Sequence, residues 1–205
     1  MSATLPIALI DYGAGNVPSV ERALQKLGAT SRRVTQSSEL TGARAIILPG
    51  VGHYAAIIRA LDERNLRSTL LEQIAHGTPF LGICLGLQAL YVSSAEAPAL
   101  RGLNLFEGSV RSLPTSVKLP HMGWNRLRIQ RSSPLLAGLT ESDYFYFAHT
   151  FAASTSSSEV VATCDHGTNF TAVIEQQNIF ATQFHPEKSG AAGARLLQNF
   201  VSLAV

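Results

Sequence analysis

Cys84 stands between Gly82 and Gly86, where the apolar run Pro79 to Ile83 gives way to Leu87-Gln-Ala-Leu, which reads as a helix start. A G-x-C-x-G on a strand-to-helix turn is the thiol form of a nucleophile elbow. A residue on so sharp a turn is held in strained backbone, and the positions two away on either side must be small where strand and helix crowd together. The same turn sets the sulfur at a helix N-terminus, whose dipole favours an anion. A lone cysteine is ordinarily a small buried hydrophobe, but glycines on both sides at this junction point to a nucleophile.

A thiol nucleophile needs a base for its proton and an acid for the leaving group, and a histidine serves as both near neutral pH. Ala181-Thr-Gln-Phe-His-Pro-Glu-Lys-Ser supplies His185, with Glu187 two residues on to hold the imidazole tautomer and stabilise the imidazolium. Pro186 stiffens the link between them. Upstream, Ile46-Ile-Leu runs into Pro49-Gly-Val-Gly52, a loop whose glycines let backbone N–H groups approach a ligand. An amide at Val51, with that of Leu85 after the nucleophile, would complete an oxyanion hole. His53 draws attention only because it follows this loop. The remaining histidines are dispersed, His76 and His166 read as loop or helix-surface residues, and no metal-ligand spacing occurs, so no metal is expected.

Elements that would position these residues are legible in outline. Leu5 to Ile10 is a buried strand and Val17 to Leu27 a helix stopped by Gly28. Ser31 to Thr35 and Ala45 to Leu48 follow as strands, then one or two helices over Tyr54 to His76. This alternation argues a mostly parallel central sheet with helices on both faces, an α/β fold with its chemistry at the carboxyl ends of the strands. After Leu90 the rhythm changes. Segments 108–112, 126–130, 144–148, 159–164, 170–175 and 179–184 read as short strands of an additional, largely antiparallel region, and Ala191 to Leu203 as a closing helix. Ser154 to Ser158 reads as a polar loop rather than a linker. The whole chain, 1–205, is expected to be one domain.

Composition narrows the function classes. With 205 residues, 46% hydrophobic, the chain can bury a substantial core. A net charge of +2 without a lysine or arginine run gives nucleic acid no electrostatic foothold. Two cysteines, Cys84 and Cys164, make no disulfide framework, which fits a reducing cytosol. No leader pattern or membrane-length apolar run appears, so a cytoplasmic location is expected.

The elbow, the glycine loop and the His-Pro-Glu motif, in this order, resemble the class I, triad-type glutamine amidotransferases. Ile10-Asp-Tyr-Gly-Ala-Gly-Asn-Val-Pro-Ser-Val, Pro120-His-Met-Gly-Trp-Asn125, Tyr146-Phe-Ala-His-Thr-Phe151 and Gln183-Phe-His-Pro-Glu-Lys-Ser189 narrow the likeness. They resemble one family, the glutaminase subunits of imidazole glycerol phosphate synthase, over essentially the whole chain. Leu87, where Met is frequent, and the lack of an arginine after Phe151 are small departures.

The resemblance implies that Cys84, His185 and Glu187 form a catalytic triad that releases ammonia from glutamine through a glutamyl thioester, without a cofactor. It implies substrate contacts from Gly50, Gly52, Gln88, Thr150 and Phe151. It also implies a heterodimer with a β/α-barrel cyclase subunit, contacted through Asn16, His121, Met122, Gly123, Trp124 and Asn125. The sequence offers no phosphate-cradling motif, in keeping with a second chemistry placed on that partner. Two rivals share the triad: a glutaminase serving another synthase, and a stand-alone cysteine hydrolase of the same fold. Asp11-Tyr-Gly and His121-Met-Gly-Trp-Asn favour the histidine pathway. Trp124, the only tryptophan, reads either as an interface anchor or as a core residue capping the sheet.

Overall fold

A computed structural model describes residues 5–154 and 158–204. Residues 155–157, within the loop expected between Ser154 and Ser158, lie outside them. In chain order the first half runs β1 (Ile7–Ile10), α1 (Val17–Lys26), β2 (Ser31–Val34), β3 (Ala45–Gly50), α2 (Tyr54–Glu63), α3 (Leu66–Ala75), β4 (Phe80–Cys84) and α4 (Leu85–Gln88). The second half runs β5 (Tyr91–Ser94), β6 (Phe106–Ser112), β7 (His121–Arg126), β8 (Arg128–Ile129), β9 (Tyr144–His149) and β10 (Phe151–Ala153). It ends with β11 (Val160–Asp165), β12 (Asn169–Gln176), β13 (Ile179–Thr182) and α5 (Gly190–Leu203).

Eight strands form the central sheet in the order β2-β1-β3-β4-β13-β12-β11-β8. Pairing is parallel from β2 through β13 and antiparallel from there to β8. The other strands form a three-stranded sheet, β10-β6-β5, and a two-stranded one, β7-β9. The antiparallel region expected after Leu90 is therefore divided: four of its strands extend the main sheet, and the rest build the two small ones.

Apolar periodicity explains the layering. Along β1, Ile7 and Leu9 join the core on one face and Ala8 and Ile10 the core on the other, as period-2 alternation requires. Helices α1 and α5 cover the first face, with Val17, Val20 and Leu24 and then Leu196, Leu197 and Phe200 buried at i, i+3, i+4 and i+7 spacings. Helices α2 and α3 cover the second, through Ile57, Ile58 and Leu61 and then Leu66, Leu70 and Ile74. The helical stretch after Tyr54 is two helices because Asn65 takes a left-handed conformation, φ 53°. Among the described residues no helix is long and apolar enough to cross a membrane.

Two expectations need correction. The helix after the elbow starts at Leu85 and lasts one turn. The carbonyls of Ala89 and Leu90 accept from Leu103 and from Leu105 and Phe106, so the chain leaves the helix and enters β5. The segment from His121 to Arg126, most of which falls outside the strands read from the sequence, is itself a strand. It is β7, paired with β9 from His121 opposite His149 to Arg126 opposite Tyr144.

Candidate active site

Three adjacent parallel strands end at one place. Gly50 of β3 is in register with Cys84 of β4, and Thr182 of β13 with Ile83. Val51, Cys84 and the residues after β13 are thereby brought to the carboxyl edge of the sheet. Cys84 has φ 56° and ψ −106°, a strained left-handed backbone for a side chain with a Cβ. The glycines around it are obligatory. A Cβ on Gly86 would lie 2.0 Å from the Leu48 carbonyl oxygen, and one on Gly82 2.7 Å from that of Gly86. Gly50 serves the same packing, since its Cβ would meet that of Leu85 at 2.5 Å. Gly50, which the resemblance places among the substrate contacts, directly precedes Val51 and Gly52 of the pocket lining.

His185 is reached through a tight turn. Its N–H donates to the Tyr146 carbonyl at 2.9 Å, and Ser189 Oγ donates to its carbonyl at 2.6 Å. The close approach of α5 to this turn depends on Gly193, where a Cβ would sit 1.9 Å from the Pro186 oxygen. The imidazole lies close enough to the Cys84 sulfur to interact with it electrostatically, and its Nδ1–H donates to Glu187 Oε1 at 2.9 Å. Both side chains are buried, to 2% and 1% exposure. Burial by itself would lower the basicity of His185. The Cys84 sulfur and then the Glu187 carboxylate outweigh it and push His185 up to about 10, which favours the imidazolium. The single turn of α4 adds little dipole, and the neighbouring imidazolium is the main electrostatic partner of the sulfur.

A pocket of about 330 Å³ opens over the sulfur, lined among others by Val51, Gly52, Gln88, Thr150, Phe151 and His185. Glu96, which no sequence motif marks, lines it too and accepts from the Tyr54 N–H at 2.8 Å. The Val51 N–H is not free. It donates to Tyr12 Oη at 3.2 Å, and burial keeps that phenol protonated far above neutral pH. Arg64 pins the Tyr12 loop by donating to the carbonyls of Asp11 and Tyr12 at 2.9 and 3.3 Å. His53 caps α2 through its ring nitrogen, which accepts from Ala55 N–H at 3.1 Å. Cys164 is buried in β11, and desolvation pushes its thiol up to about 12, so it is inert.

The residues expected at an interface separate by strand alternation. Met122 and Trp124 are 65% and 55% exposed, and the exposed Trp124 is not a core residue. Gly123 lies between them, half-buried, at φ 136°. His121 faces inward, 4% exposed, and Asn125 on the same side reaches it. Asn16 donates to Glu187 Oε1 at 3.0 Å, which gives it a place beside the carboxylate. His121 Nδ1 pairs with His149 Nε2 at 3.0 Å, and His149 Nδ1 with the Phe151 carbonyl at 2.9 Å. Since that carbonyl only accepts, His149 Nδ1 carries the proton and His121 Nδ1 donates in turn. Burial depresses both rings, His121 to about 4 and His149 to about 3. His166 stacks on His121 with centroids 4.2 Å apart.

Cysteine, histidine and carboxylate side chains gathered at the carboxyl edge of a parallel sheet, beneath a pocket, suit thiol-based acyl transfer. The Glutamine amidotransferase class-I family model matches residues 8–203. The imidazole glycerol phosphate synthase subunit HisH of Methanothermobacter thermautotrophicus is 49% identical over 96% of this chain and 98% of its own length. That of Oceanobacillus iheyensis is 43% identical over 95% and 97%. The chain belongs to the class-I glutamine amidotransferases and, within them, to the HisH subunit family. Solved structures agree on the fold: a crystal structure of a glutamine amidotransferase superposes with a TM-score of 0.77 at 21% identity, covering 97% of this chain and 98% of that one. PurLQS from Thermotoga maritima does so with 0.77 at 20%, with the same coverage.

Proposed function

We propose that this chain is the glutaminase subunit of imidazole glycerol phosphate synthase, releasing ammonia from glutamine and handing it to a cyclase partner in histidine biosynthesis, in the cytoplasm. The observation that carries the reading is the buried Cys84–His185–Glu187 line beneath the pocket, in a chain 49% identical to a HisH subunit.

The Cys84 thiolate attacks the side-chain carbonyl carbon of glutamine, and the C=O electron pair moves to oxygen. Amides at Val51 and Leu85 hold that oxyanion once the Val51 peptide is released from Tyr12. On collapse the C–N bond breaks, and His185, already an imidazolium, protonates the departing nitrogen, leaving ammonia and a glutamyl thioester. The now neutral imidazole takes a proton from water, hydroxide adds to the thioester, and the C–S bond breaks to give glutamate and the starting pair. Glu187 keeps Nδ1–H in place throughout, and Asn16 keeps Glu187 in place. Substrate is held by Gly52, Gln88, Thr150 and Phe151 around the pocket.

Ammonia released into neutral water becomes ammonium and ceases to be a nucleophile, so delivery demands a docked partner. The exposed β7–β9 face supports one. Met122, Trp124 and Tyr144 lie open on it, the Trp124 and Tyr146 rings meet edge to face at 5.9 Å, and Arg126 sits 5.7 Å over Tyr144. Aromatic and arginine anchors of this kind dominate interface centres. Met122 and Lys188 also line the pocket, so a barrel seated on this face covers its exit. Glutamine hydrolysis measured alone, with the barrel cyclase, and with the cyclase and its nucleotide ligand tests the proposal. Strong stimulation by the liganded cyclase is expected; equal hydrolysis in all three would overturn it.

A further inference from the structure

Gln183 follows β13, is 0% exposed, and joins the nucleophile to the pocket wall. Its Nε2 lies 3.6 Å from Cys84 Sγ, and its Oε1 accepts from Gln88 Nε2 at 3.1 Å. The orientation of both amides follows from one fixed acceptor. The Phe151 carbonyl can only accept, so the end of Gln88 that meets it at 2.7 Å must be the NH₂. The second hydrogen of that NH₂ then points at Gln183, whose near end must be oxygen. The far end of Gln183, facing the sulfur, is therefore its NH₂. His149 Nδ1–H on the same Phe151 carbonyl anchors the origin of the chain.

Two consequences lie at the ends of this relay. An N–H donor is aimed at the sulfur, which strengthens the thiolate and fixes its side-chain rotamer. At the other end Gln88 lines the pocket, and its Oε1 is buried with no donor among the described residues. An orphan acceptor of that kind is costly until a ligand N–H meets it, and glutamine carries N–H groups at both its ends.

We propose that Gln183 is a positioning residue for the glutaminase reaction: one end of its amide holds the Cys84 sulfur, and the other turns Gln88 so that a bare carbonyl meets the substrate. The proposal rests on Cys84 being the nucleophile, and Cys84→Ser run alongside tests that separately.

Three variants in the reconstituted complex separate the two ends. Gln183→Met keeps length and volume but removes both hydrogen bonds. It should lower kcat, raise KM for glutamine several-fold, and slow alkylation of Cys84 by iodoacetamide in the isolated chain about tenfold, the effect of one charge-assisted hydrogen bond. Gln183→Glu keeps an acceptor for Gln88 and turns a carboxylate toward sulfur, so KM should stay near its original value while kcat and alkylation fall. Gln88→Met leaves the sulfur contact in place and should raise KM without slowing alkylation. A folded Gln183→Met protein with kcat, KM and alkylation all within twofold of the parent would overturn the proposal. If the residue at 183 cannot be changed without unfolding, Gln88→Met decides: alkylation slowed as much as turnover would overturn the relay's division into two ends. Glutamine hydrolysis that survives Cys84→Ser would remove the nucleophile assignment instead.

Discussion

Removing a single oxygen with Tyr12→Phe should raise glutamine hydrolysis by the isolated chain. Tyr12 is 5% exposed, and its hydroxyl accepts the Val51 N–H at 3.2 Å. As long as it does, that N–H is unavailable to an oxyanion above Cys84. A neutral hydrogen bond of this type contributes about 0.5–1.5 kcal/mol net, so its loss changes the population of the released loop by about 2- to 12-fold. Phenylalanine fills the same space, and the stranded N–H gains a reason to turn toward the pocket. The ceiling is the value of a full oxyanion donor, roughly 10²–10³ in rate, so most of the activation is still left for the partner. Glutamate formation by the isolated variant should rise about 2- to 12-fold, while the fully liganded complex changes little. An unchanged or lower basal rate, with the melting temperature preserved, would refute the latch.

Glu187→Gln keeps an acceptor for His185 Nδ1 and loses only the charge, so kcat should fall about tenfold. His185→Ala removes the proton carrier and should cost roughly 10²–10⁴; equal losses in steady-state kinetics would leave the carboxylate's supporting role without basis. Trp124→Ala should weaken cyclase binding by at least about 30-fold in titration calorimetry, the loss of one anchor, with little change in the melting temperature of the isolated chain. A large drop in melting temperature with affinity intact would contradict that. His121 and His149 have folded-state values below the ordinary histidine value. Their contribution to stability is therefore complete above about pH 6.5 and is lost as pH falls toward about 4 for His121 and about 3 for His149, at about 1.4 kcal/mol per pH unit for each ring. Imidazole nitrogen NMR at pH 5.5 should show both rings neutral in the folded protein, and imidazolium signals there would contradict the assignment.

How much could be read in advance depended on where each constraint resides. Gly82, Cys84 and Gly86 were legible because the close approach of strand and helix forbids side chains at fixed sequence offsets, and backbone sterics need no knowledge of the rest of the fold. His185 and Glu187 were legible because their partnership spans two residues. The Asn16–Glu187 and Gln183–Cys84 contacts join residues 171 and 99 apart, and no local pattern encodes them. The brief α4 was misjudged because what ends it, the capture of the Ala89 and Leu90 carbonyls by residues beyond Gly102, is tertiary. Strand β7 was hidden by Pro120, Gly123 and Asn125, residue types that strands disfavour. Pairing with the aromatic β9 overrides that preference. His149 could have been found from β9 itself, where Phe145, Phe147 and His149 alternate inward.

The division of labour between two subunits is the central claim, and Cys84→Ser in complex with the cyclase tests it most directly. In the proposed division Cys84 generates ammonia and takes no part in cyclisation. Synthesis of imidazole glycerol phosphate from glutamine should therefore be abolished, while synthesis from added ammonia continues at the parental rate. Failure of ammonia to restore synthesis in a correctly assembled mutant complex, or persistence of glutamine-dependent synthesis, would contradict the account.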